Sequence, residues 1–62
     1  MSEAQRLSQM FSAATLSRHI DTRETALVMA QAVGNTRKAR NITARLRVYR
    51  AALALKSPEA SS

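Results

Sequence analysis

The sequence predicts an all-α domain of three helices, and three observations carry that prediction. The chain is rich in Ala, Leu, Arg and Gln, and its only Gly and only Pro are Gly34 and Pro58, so little interrupts helix formation between them. Apolar residues recur at three- and four-residue steps, and no segment shows the two-residue alternation of a strand. Capping signals fall at Ser2, at Asp21–Glu24 and around Gly34–Thr36.

The first helix is expected over 3–18. Ser2 can cap it, and Glu3 suits the positive end of the helix dipole. Leu7, Met10, Phe11 and Ala14 form its apolar stripe. Ser12, Thr15 and Ser17 weaken it, and Leu16 and Ile20 lie off that stripe, so a bend or end is expected between Ser17 and Ile20.

The second helix is expected over 22–33. Asp21-Thr22-Arg23-Glu24 has the pattern of a capping box. Ala26 to Val33 contains one polar residue, Gln31, and a helix apolar on all sides is expected to be buried on several of them. Gly34 and Asn35 both tolerate a left-handed conformation and can end it.

The third helix is expected over 36–56, capped by Thr36. Its seam is Ala39, Ile42, Leu46, Tyr49 and Leu53, and a second strip of Val48 and Leu55 with Ala44, Ala51 and Ala52 lies on the other side. The last two helices then form a helix-turn-helix-like pair or a plain hairpin. For a helix-turn-helix, the apolar residue expected six places after the turn glycine is replaced by Arg40. Residues 57–62 read as a disordered tail.

Charge gives the functional direction. No acidic residue lies between Glu24 and Glu59, and seven of the ten basic side chains fall in that interval. The formal charge of +6 therefore belongs to the second half, and a one-signed field selects an anionic partner. Nucleic acid, most simply DNA, is the first expectation. Thr36, Arg37, Lys38, Arg40, Arg45 and Arg47 are the phosphate candidates, and Asn41 is the candidate for reading a base edge. The function expected is that of a small DNA-binding regulator, of the kind a phage or plasmid uses for transcription. An alternative from another class is an inhibitor or adaptor that lays its basic, Ala-rich helix on an acidic protein. A membrane-surface helix is a third reading, opposed by the absence of Trp and the single Phe.

A 62-residue chain buries a modest fraction of its surface, and without cysteine it has no disulfide to stabilise it. One histidine, His19, cannot complete a zinc site, so neither metal nor cofactor is expected. Association remains, and a homodimer is expected through Ile42, Leu46, Val48, Tyr49, Leu53 and Leu55, with the central helix buried.

Enzymatic activity is not expected. His19 has no nucleophile or second imidazole at a useful spacing, and Asp21 with Glu24 is explained by the cap. His19 reads as a residue near the end of the first helix, and Met1, Met10 and Met29 as a start residue and core filler. Phe11 and Tyr49 read as core. The Ser-rich N-terminus with Arg6 and Arg18 shares some composition with a mitochondrial presequence. Glu3 and the small number of arginines favour a cytoplasmic protein instead. No apolar run is long enough to span a bilayer, and no small-molecule substrate is indicated.

Overall fold

The computed structural model describes residues 1–56, so the expectation for 57–62 lies outside the described residues. The elements are α1 (Glu3–Met10), α2 (Ala13–Ala32) and α3 (Thr36–Lys56), with no strand among the described residues. No helix there is long and apolar enough to cross a membrane.

Helix α1 begins as expected at Ser2, with a fuller cap than Glu3 alone would make. The Gln5 amide donates to the Ser2 hydroxyl at 3.2 Å, and the Ser2 amide donates to Gln5 Oε1 at 2.9 Å. This reciprocal box satisfies two otherwise open amides. The helix stops at Phe11, whose backbone is extended, well before residue 18.

Ser12 is the reason. Its hydroxyl accepts from the Thr15 amide at 3.2 Å and donates to Thr15 Oγ1 at 3.0 Å, so it opens a new helix. The bend or end expected between Ser17 and Ile20 is therefore corrected: α2 runs through it unbroken. Within α2 the Thr22 and Thr25 hydroxyls donate to the carbonyls of Arg18 and Asp21. Asp21 and Glu24 are exposed mid-helix residues, and the expected capping box is absent.

The α2–α3 turn follows from Gly34, whose φ is +73°. The Asn35 amide donates to Ala30 O at 2.9 Å and the Gly34 amide to Gln31 O at 3.1 Å, the paired bonds of a Schellman motif. Asn35, rather than Thr36, caps α3, its Oδ1 accepting from the Lys38 amide at 3.2 Å. After so short a turn α3 runs back along α2. His19 lies on Tyr49 and Glu24 on Arg50, while Gln31 borders Thr36 at the turn, so the two helices form an antiparallel hairpin.

Helix α1 lies along the C-terminal half of α3 in the same direction, with Glu3 beside Arg45 and Ser8 beside Lys56. Leu7, Leu16, Ile20, Leu46, Tyr49 and Ala52 meet as one core, and Ala4, Phe11, Leu27, Ile42, Val48 and Leu53 pack around it. Leu16 and Ile20, which sit off the α1 stripe, are explained by their place on α2. Met10 and Ala14 are left in solvent by the break.

The second half of α2 departs from expectation. Ala30 is buried and Ala26 and Leu27 are half-buried, but Val28, Met29 and Val33 are exposed at 64%, 66% and 79%. Within one chain α2 is covered on one side only.

Candidate nucleic-acid interface

The basic residues of α3 divide into two groups. Towards its C-terminus the helix runs beside α1 and the middle of α2, which bring acceptors. Arg45 Nη1 lies 2.5 Å from Glu3 Oε2, and Arg50 Nη2 lies 2.6 Å from Glu24 Oε2. Lys56 Nζ donates to the Ser8 carbonyl at 2.6 Å. The Glu3 carboxylate, with a smaller contribution from the Tyr49 hydroxyl, pushes the Arg45 pKa above its ordinary value. Arg45 also lies 5.3 Å from the Tyr49 ring centroid, and Arg23 lies 4.4 Å from the same ring.

Tyr49 therefore anchors a small aromatic cluster. His19 stacks on it with centroids 5.5 Å apart, and Phe11 meets His19 edge-on at 5.3 Å. His19 is a half-buried residue within α2, in place of the helix-end position expected for it. Arg23 Nη1 sits 3.5 Å from His19 Nδ1. This cluster is structural packing between α2 and α3.

The second group lies nearer the turn. Arg37, Lys38, Arg40 and Arg47 are exposed and have no ion-pair partner among the described residues. At 100° per residue Arg37, Arg40, Ala44 and Arg47 share one side of α3, separated by three, four and three residues. The stripe spans ten residues, about 15 Å along the axis. Ala44 stands between Arg40 and Arg47 and keeps the surface low between them.

That stripe borders an open groove of about 400 Å³ along one flank of the hairpin. Gln31 of α2 lines it, with Thr36, Ala39, Arg40, Thr43, Ala44 and Arg47 of α3. The Thr43 hydroxyl donates to Ala39 O at 2.8 Å and keeps its acceptor capacity. The groove thus offers two guanidinium groups, two hydroxyls and an amide, a lining suited to phosphate and sugar oxygens.

Of the seven residues expected to meet nucleic acid, the groove gathers Thr36, Arg40 and Arg47, with Arg37 on the adjoining surface. Lys38 lines a different, apolar groove on the opposite flank with Ala26, Met29, Ala30, Val33 and Asn35. Asn41 is exposed but is not part of the groove lining. Arg45 is engaged by Glu3.

The start of α3 is also less open than a bare helix N-terminus. The Thr36 amide donates to Gly34 O, the Lys38 amide to Asn35 Oδ1 and the Ala39 amide to Asn35 O, so three of the first four amides already have acceptors. Cation side chains, rather than free amides, carry the anion-binding capacity here.

Gln31 and Thr43 were not among the expected site residues. Gln31 had a signal, as the lone polar residue in an apolar run, and Thr43 had another, one helical turn from both Arg40 and Arg47. Of the residues expected at an oligomer interface, Leu46 and Tyr49 lie in the intrachain core and Ile42, Val48 and Leu53 are half-buried against it. Leu55 alone of the six is largely exposed, at 58%.

No family model, curated protein or solved structure matches the chain.

Proposed function

We propose that the protein is a small DNA-binding regulator that works as a homodimer and grips the phosphate backbone with the Arg37–Arg40–Arg47 side of α3. One observation carries the proposal. The carboxylates that reach α3 neutralise Arg45 and Arg50, which leaves the turn half of the helix with cations alone. Like charges one turn apart on a helix destabilise it by about 0.2–0.5 kcal/mol per pair unless something offsets them. A polyphosphate backbone offsets them and gains from released counterions.

Fluorescence anisotropy on a random-sequence duplex, repeated from 50 to 200 mM salt, tests the proposal. Three phosphate contacts from each protomer, six for the dimer, predict a log–log salt slope of about −5.4. Arg40→Ala and Arg47→Ala, each present twice in the dimer, should weaken binding on every sequence and flatten the slope by about 1.8. Arg50→Ala, which removes a cation already paired with Glu24, should change the slope far less. Absence of binding at 50 mM salt, or equal effects of all three substitutions, would contradict the proposal.

The second reading is an inhibitor or adaptor for an acidic protein, and exposed Leu55 beside Lys56 is what favours it. The two readings diverge at Leu55→Ala. A protein partner held by that end of α3 loses affinity, whereas duplex binding at the Arg37–Arg47 side is unchanged.

A further inference from the structure

We infer that Glu24 is an autoinhibitory carboxylate: by holding Arg50 it ends the anion-binding groove at Arg47 and withholds a fourth arginine from the phosphate backbone. The inference rests on the reading of that groove as a phosphate site, and adds the residue that sets its length.

Helical spacing puts Arg50 on the line of the groove. On α3, Arg47 follows Arg40 by seven residues, and Arg50 follows Thr43 by seven. Seven residues make two turns, so the members of each pair share a side and lie about 10 Å apart along the axis. On α2, Glu24 stands the same two turns before Gln31. Gln31 and Thr43 both line the groove. Because the hairpin is antiparallel, two turns away from the loop along each helix lead from Gln31 to Glu24 and from Thr43 to Arg50. Those two side chains meet at 2.6 Å. The ion pair therefore closes the end of the groove furthest from the turn.

Arg45 provides the contrast. It too is held by a carboxylate, that of Glu3, but it points about 160° away from Arg47 around the helix. There it lies against the Tyr49 ring, on the side of α3 that meets α1. Freeing Arg45 adds charge to the molecule without adding a contact to the groove. Freeing Arg50 adds both.

The fold has little need of the Glu24–Arg50 pair. Its side chains are 48% and 55% exposed, so solvent screens it, and neither has another hydrogen-bond partner among the described residues. Its effect falls on ligands instead. A phosphate approaching Arg50 meets the Glu24 carboxylate beside it, and like charges in contact repel. Phosphate contacts strengthen binding to every sequence alike, so withholding one arginine lowers the non-specific grip.

Fluorescence anisotropy on a random-sequence duplex from 50 to 200 mM salt, with circular dichroism on each variant, tests the inference. Glu24→Gln keeps the side-chain shape and removes its charge. It should tighten binding and steepen the log–log slope by about 0.9 for each bound protomer, or about 1.8 for the dimer. Its advantage over the wild type should then shrink about twelvefold across that salt range. Adding Arg50→Ala to Glu24→Gln should restore the wild-type slope. Glu3→Gln makes the same change in net charge and should leave the slope close to wild type. All three residues are exposed, so helical content should be unchanged. An unchanged slope in Glu24→Gln, or equal steepening in Glu3→Gln or the double variant, overturns the inference and leaves the groove as a phosphate site. A chain that binds no duplex at 50 mM salt, with or without Glu24, overturns the inference and the proposed function together.

Discussion

At the residue scale, stability is concentrated in a few aliphatic side chains. Leu16 and Leu46 are essentially inaccessible and lie at the junction of all three helices. Leu46→Ala should cost about 3 kcal/mol, from lost transfer energy and an unfilled cavity, and in a domain this small that leaves much of the chain unfolded. The ion pairs contribute far less. Arg45–Glu3 and Arg50–Glu24 are roughly half-exposed on both sides, so solvent screens them and each is worth at most about 1 kcal/mol. Urea denaturation of Leu46→Ala beside Glu24→Gln checks the contrast, with a large fall in midpoint expected for the first and a small one for the second. What the pairs do is distribute charge: they decide which arginines remain available to an anion.

At the element scale, the revealing comparison is between two caps. Asp21–Glu24 fits the pattern of a capping box, and Ser12 looked like a residue that weakens a helix. The structure reverses those roles. A break at Phe11–Ser12 lets α1 fold against α3, where Leu7 joins the core with Tyr49 and Ala52 and Glu3 reaches Arg45. The continuous α2 puts Leu16 and Ile20 in the same core. Local capping chemistry permits either break, and only packing distant in sequence chooses. Ser12→Ala should therefore cost about 1 kcal/mol as a lost cap, while Asp21→Ala should cost less than about 0.5 kcal/mol in the monomer. Thermal melts at low protein concentration measure both.

Other parts of the design were legible for physical reasons. The α3 seam was readable because its apolar residues repeat at helical spacing, and Ile42, Leu46, Tyr49 and Leu53 do turn inward. Gly34 was readable because few other residues accept a positive φ. The pairing of Arg45 and Arg50 was not readable. Their partners lie 42 and 26 residues away, and no local pattern records such distances.

At the scale of the whole molecule, the hairpin has two flanks and an outward face with different chemistry. One flank holds the polar groove of Arg40 and Arg47, the other an apolar groove of Met29 and Val33 edged by Lys38, and Val28 is exposed on α2 outside that apolar groove. The formal charge of +6 is thus not spread evenly. It is muted along the α1 side and left uncompensated near the turn. The central claim is that this uncompensated side of α3 meets nucleic acid. Titration of a short duplex into isotopically labelled protein, followed by NMR of the backbone amides and arginine side chains, tests it most directly. The account predicts that Arg37, Arg40, Thr43 and Arg47 shift most, with Gln31 responding across the groove and Arg45 and Arg50 nearly still. Shifts centred on α1 or on Arg45 and Arg50, or no shifts at low salt, would contradict it.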